Sequence, residues 1–135
     1  DTFRWKGENV STNEVAERLL TAPGVLEAEV YGVTVPGADG RAGMAGLVVD
    51  DNFDIETFGR HVADQLPTYA QPLFVRLLPA IETTGTFKVR KMDLVADGYD
   101  PTRVKGPLFF RNAKRGYVKI TKSVFEKIAT SAARL

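Results

Sequence analysis

The chain has 135 residues, 44% of them hydrophobic, the size and composition of one ordinary domain that can bury a core without staples. It contains no cysteine, which excludes disulfides, thiolate metal sites and thiol catalysis, and its single histidine argues against a His-based metal cluster or a Ser-His-Asp triad. Net charge is only +1, but it is divided: residues 1–87 carry 6 basic and 13 acidic side chains, a net of −7, and residues 88–135 carry 12 and 4, a net of +8.

In chain order, Ser11-Thr12-Asn13-Glu14 reads as a capping box opening a helix with Val15, Leu19 and Leu20 as its apolar positions, closed by Pro23 and Gly24. Residues 25–35 read as a strand, with Ala28, Val30, Gly32 and Thr34 on one face and Glu27, Glu29, Tyr31 and Val33 on the other. A turn at residues 36–40 leads to residues 42–49, apolar on both faces and so expected as a central, covered strand. Ile55, Phe58, Val62 and Leu66 fall at helical spacing over residues 54–66, and Pro67 stops the pattern. His61 lies on this helix and reads as a surface or boundary residue.

Residues 73–78 form a short β-prone run ending at Pro79. Met92, Leu94 and Val95 fit a short helix ending at Gly98; residues 107–111 and 117–121 fit a hairpin around Ala113-Lys114-Arg115-Gly116. Residues 122–133 fit a last helix whose stripe of Val124, Phe125 and Ile128 packs on the domain. The expected class is α+β: a small mixed three-stranded sheet flanked by helices, with an additional C-terminal hairpin and helix, and residues 1–135 as a single domain.

No apolar run reaches the roughly 20 residues that span a bilayer, and the N-terminus lacks signal-peptide anatomy, so a soluble chain is expected. Lys88, Arg90, Lys91, Arg103, Lys105, Arg111, Lys114 and Arg115 either face an anionic partner or form a solvated positive face. They do not alternate with aromatics in a nucleic-acid platform, so no nucleic-acid partner is expected.

An ordered series of motifs carries a sharper reading: residues 1–15, opening on Asp1-Thr2-Phe3-Arg4-Trp5-Lys6-Gly7-Glu8-Asn9-Val10, then Asp39-Gly40-Arg41-Ala42-Gly43-Met44-Ala45, Leu66-Pro67-Thr68-Tyr69-Ala70-Gln71-Pro72-Leu73-Phe74-Val75-Arg76, Thr84-Gly85-Thr86-Phe87-Lys88, and Gly98-Tyr99-Asp100-Pro101. In this order and spacing they resemble the C-terminal domain of adenylate-forming acyl-CoA synthetases, in the fatty acid transport protein and very-long-chain acyl-CoA synthetase branch. The series begins at once and the chain lacks an initiating methionine, so its first residue is read as a cut, with a large N-terminal adenylation domain as the partner in the same chain.

The resemblance implies that Lys88 is the lysine that serves acyl-adenylate formation, a compact charge on a flexible stem suited to a site between carboxylate and α-phosphate. By spacing alone it is a surface lysine. Gly85 would let its loop come close to substrate. Residues 3–9 resemble a loop, leading to a helix, that lines the coenzyme A channel in the second half-reaction. Within it Gly7 permits close backbone approach, Lys6 and Glu8 flank it, and Trp5 packs either at the channel or in the core. Asn9 stands where many relatives carry arginine.

The substrates implied are a long or very long fatty acid, its acyl-adenylate, ATP with Mg²⁺, and coenzyme A, in the cytoplasm or at the inner membrane face. A ligase for another bulky lipid acid, or a non-catalytic module that uses the basic half on a membrane or protein, are the alternatives. Gly40 reads as a turn residue and Arg41 as a contact to an acidic neighbour or to the large domain.

Overall fold

The computed structural model describes residues 1–79 and 91–131. The chain opens with a hairpin of β1 (Thr2–Trp5) and β2 (Glu8–Ser11), then runs α1 (Thr12–Leu19), β3 (Val25–Val33), β4 (Ala42–Val49), α2 (Ile55–Gln65), a 3₁₀ turn (Thr68–Ala70), β5 (Phe74–Leu77), α3 (Lys91–Asp97), β6 (Leu108–Asn112), β7 (Gly116–Lys119) and α4 (Lys122–Ser131).

The main sheet has the order β3-β4-β5-β6-β7. Its pairs are antiparallel except for β4 with β5, which are parallel, with Met44 opposite Phe74 and Leu47 opposite Leu77. A parallel pair needs a long crossover, and α2 supplies it. The class is α+β as expected, but the C-terminal hairpin is no addition to a three-stranded sheet. β6 pairs with β5 through Phe110 opposite Phe74, which makes the sheet five-stranded.

Alternation of side chains sorts the core onto the two faces of the sheet. On one face Val15 and Leu19 of α1 and Phe58 and Val62 of α2 pack with Val30, Ala45, Leu47, Val75 and Tyr117. On the other, Leu94 of α3 and Ile128 of α4 pack with Tyr31, Met44, Phe74, Leu108 and Ile120. Tyr99 stacks on Phe74 with ring centroids 4.0 Å apart. β4 lies between two strands with helices on both sides and is almost wholly buried, as its unbroken apolar sequence required.

The caps form where the sequence put them. Ser11 Oγ accepts from the Glu14 N–H at 3.3 Å, and Asp54 Oδ2 accepts from the Thr57 N–H at 3.0 Å. That bond from the Thr57 amide is the main reason the Asp54 carboxyl titrates below the usual carboxylate range. Leu20 departs from its expected place. It is 44% exposed because it lies just past the stripe of Val15 and Leu19, and Ala22 enters the core instead. Likewise only Leu94 of the three apolar residues on α3 is buried, while Met92 is 68% exposed.

Candidate functional site

The segment expected as a loop is a tight hairpin. Phe3, Trp5 and Val10 alternate with polar residues, and Trp5 pairs with Glu8, which leaves only Lys6 and Gly7 to turn the chain. Both carry positive φ, 48° and 83°, the requirement of a type I′ turn and the geometry that matches strand twist. Lysine at such a position is strained, and glycine is not.

The four expected binding residues in this segment divide by role. Trp5 is 7% exposed and belongs to the core cluster of Tyr31, Val33 and Val35, the packing that its core reading expects. Lys6, Gly7 and Glu8 are exposed. The Lys6 ammonium sits over the Trp5 ring, 5.4 Å from its centroid, which ties the turn to its buried base. Among the described residues, a Cβ built on Gly7 would meet nothing within 4 Å.

The hairpin is held at both ends. At the turn end Trp5 bridges to Gly40, and the Arg41 N–H donates to the Arg4 carbonyl at 2.8 Å. At the open end the Asp1 carbonyl accepts from both the N–H and the hydroxyl of Thr12, each at 3.0 Å, and Thr12 is 3% exposed. The Asp1 carboxylate accepts from Lys91 Nζ at 2.7 Å, so Lys91 spends its charge on an ion pair with the first residue. A cleft of about 370 Å³ opens there, lined by Asp1, Phe3, Tyr31, Arg41, Lys91 and Met92 among others.

Lys88, Gly85 and Arg90 lie outside the described residues. Arg103 Nη2 is 4.0 Å from Asp97, and the backbone amides of Lys114 and Arg115 cap onto Asn112 Oδ1 at 2.9 and 3.1 Å in the β6–β7 turn. Arg41 makes no ion pair among the described residues, so its acidic neighbour is not found there. His61 is a boundary residue, as expected, with Nε2 2.7 Å from Thr21 Oγ1 and 3.2 Å from the Arg18 carbonyl oxygen, joining α2 to α1.

An ionic group under α3 was not anticipated. Arg76, 6% exposed, bonds Asp97 Oδ2 at 3.2 Å, and its Nε has no partner among the described residues. Beside it Tyr31 is buried, and its hydroxyl has no partner among the described residues. Burial pushes its phenol well above the usual 10.0, a shift that the Arg76 guanidinium partly opposes. A lone arginine in a β-prone run was the available signal. Among the described residues no three His, Cys, Asp or Glu side chains gather to hold a metal, and no helix is long and apolar enough to cross a membrane.

Comparison with known proteins gives this geometry its context. The chain is 46% identical to long-chain fatty acid transport protein 6 of Mus musculus over 138 aligned positions, which cover all of this chain and 22% of that protein. It is 42% identical to long-chain fatty acid transport protein 1 of Homo sapiens, covering 98% of this chain and 21% of that protein. It therefore spans about a fifth of the length of these relatives. Among solved structures, a fatty acyl CoA synthetase of Mycobacterium tuberculosis superposes with a TM-score of 0.59 at 28% identity, over 71% of this chain and 19% of that one. The profile of the family described as AMP-binding enzyme C-terminal domain matches residues 14–88, more than half of the chain. The sheet, the helices on its two faces and this match together make the chain a member of the AMP-binding enzyme C-terminal domain family.

Proposed function

We propose that the chain is the small, mobile C-terminal domain of an ATP-dependent, AMP-forming ligase that joins a long or very long fatty acid to coenzyme A. In the first half-reaction the fatty carboxylate attacks the α-phosphorus of ATP and pyrophosphate leaves. In the second, the thiol of coenzyme A loses its proton, attacks the acyl carbonyl and expels AMP. Lys88 serves the first step by countering charge on carboxylate and phosphate. The hairpin turn serves the second by lining the channel for the pantetheine arm. Rotation against the large domain exchanges the two, so one site meets two transition states.

The observation that carries this reading is the turn itself: residues 6–8 are exposed on a base fixed in the core, and no described residue lies within 4 Å of a Cβ built on Gly7. A backbone surface of that kind accepts a narrow, flexible ligand. Trp5 contributes by holding the turn, not by touching the ligand. Mg²⁺ would travel with the ATP phosphates; the described residues gather no donor set for it, and no step here is routed through it.

The test uses the full-length protein and separates the half-reactions. Lys88→Ala should slow adenylate formation on the order of 100-fold while thioester formation from supplied acyl-adenylate stays near wild type. Gly7→Leu should do the reverse. Equal losses in both steps for Lys88→Ala would remove its assignment, and an unaffected second step in Gly7→Leu would remove the channel role of the turn.

A further inference from the structure

The Gly40-Arg41-Ala42-Gly43 motif, together with Gly32, has no part in the chemistry above, yet its glycines lie against β1 of the hairpin, at Phe3 and Arg4. Gly32 and Gly43 lie directly opposite each other in the β3–β4 ladder, so side chains are missing at one cross-strand position. The Phe3 ring fills the gap. A Cβ on Gly32 would lie 3.0 Å from Phe3 Cβ and Cγ, and one on Gly43 would lie 3.2 Å from Phe3 Cζ. Both distances are tighter than ordinary packing, and Arg41 Cβ also lies 3.0 Å from the Gly32 position, so a methyl at either site obliges its neighbours to give by a few tenths of an ångström.

Gly40 completes the arrangement. Its φ of 77° suits glycine, and a Cβ there would collide with the Arg4 carbonyl oxygen. That oxygen is the acceptor for the Arg41 N–H. Ala42 between them is fully buried and seats the motif in the sheet.

We infer that Gly32, Gly40 and Gly43 form a socket that positions the β1–β2 hairpin, and that through Phe3 and Arg4 they set the placement of the Lys6 and Gly7 turn during thioester formation. They are positioning residues and touch no substrate. The functional half of this inference rests on the channel role proposed above for the turn, whereas the docking half stands on the contacts alone.

The experiment measures both halves on the full-length protein. Gly43→Ala should raise amide exchange in residues 3–11 on the order of tenfold while α2 keeps wild-type protection. It should also slow thioester formation from supplied acyl-adenylate on the order of tenfold, with adenylate formation little changed. Phe3→Leu combined with Gly43→Ala shrinks the displaced group and should recover much of both. Phe3→Ala, which leaves the glycine pair intact, provides a second route to the undocked hairpin if Gly43→Ala does not fold. Unchanged exchange in residues 3–11 in Gly43→Ala and Phe3→Ala would overturn the socket. Raised exchange with an unchanged second step would leave the docking in place and overturn the functional half together with the channel role of the turn.

Discussion

At the scale of single residues, buried hydroxyls separate what is satisfied from what is stored. Tyr117 donates to the Pro72 carbonyl at 2.6 Å inside the core, joining β7 to the segment before β5. Burial raises its phenol above the usual 10.0, with Arg111 opposing. The folded state therefore holds the neutral phenol, and the stability this group contributes is full below the unfolded value and lost as pH climbs beyond about 10. Tyr117→Phe should cost about 1 kcal/mol at neutral pH and make the alkaline decline shallower, with the raised Tyr31 phenol sustaining the rest. Urea midpoints at about pH 7, 9 and 11 would check both effects, and parallel declines for the two proteins would contradict the second. None of this was readable beforehand. A tyrosine in a strand pattern is marked as apolar, and the sequence does not say where its hydroxyl ends.

At the scale of elements, α3 spans only Lys91–Asp97 and buries one leucine, so it depends on its ends. The Lys91 pair with Asp1 holds one end; the pair of Asp97 with buried Arg76 holds the other. Asp97→Ala strands a guanidinium that is 6% exposed and should destabilise the protein by about 2 kcal/mol, whereas Arg76→Met with Asp97→Ala should recover most of that. A double-mutant cycle by chemical denaturation measures it, and additive losses would mean that the pair does not couple. The helices were legible because their 3.6-residue stripes and caps are local signals. β4 was legible because a strand covered on both faces is apolar throughout. The first hairpin was not. Lysine is a poor resident for a left-handed turn position, so Lys6 and Gly7 lack the strong Asn-Gly signature. The join of β5 to β6 was hidden for another reason: Val75 and its partner Phe109 are 34 positions apart, and no periodicity encodes pairing at that range. Lys88 was reached through resemblance to a family, since an isolated lysine after Thr-Gly-Thr-Phe carries no distinguishing physical mark.

At the scale of the whole molecule, the family profile ends at residue 88, but the sheet does not. β6 and β7 cover the far edge of β5 and bring Leu108, Tyr117 and Ile120 into the two cores. A chain ended at residue 106 would leave the Phe74–Leu77 strand as an open apolar edge. Expressed that way, it should appear in aggregates, while the full 135 residues stay in solution; a monomeric, cooperatively melting truncation would show that the last hairpin is dispensable. The anchorage of Asp1 also has a mechanical consequence. A pull applied at Asp1 acts on the open end of an antiparallel hairpin, the geometry in which ladder bonds break one after another, beginning with Thr2 opposite Ser11. Three bonds stand in front of that zipper, two from Thr12 and one from Lys91, so tension has to break them together before the first rung is loaded. Below the load that breaks those three bonds the hairpin should stay zipped, and a pull at Asp1 is passed to α1 and α3 through Thr12 and Lys91.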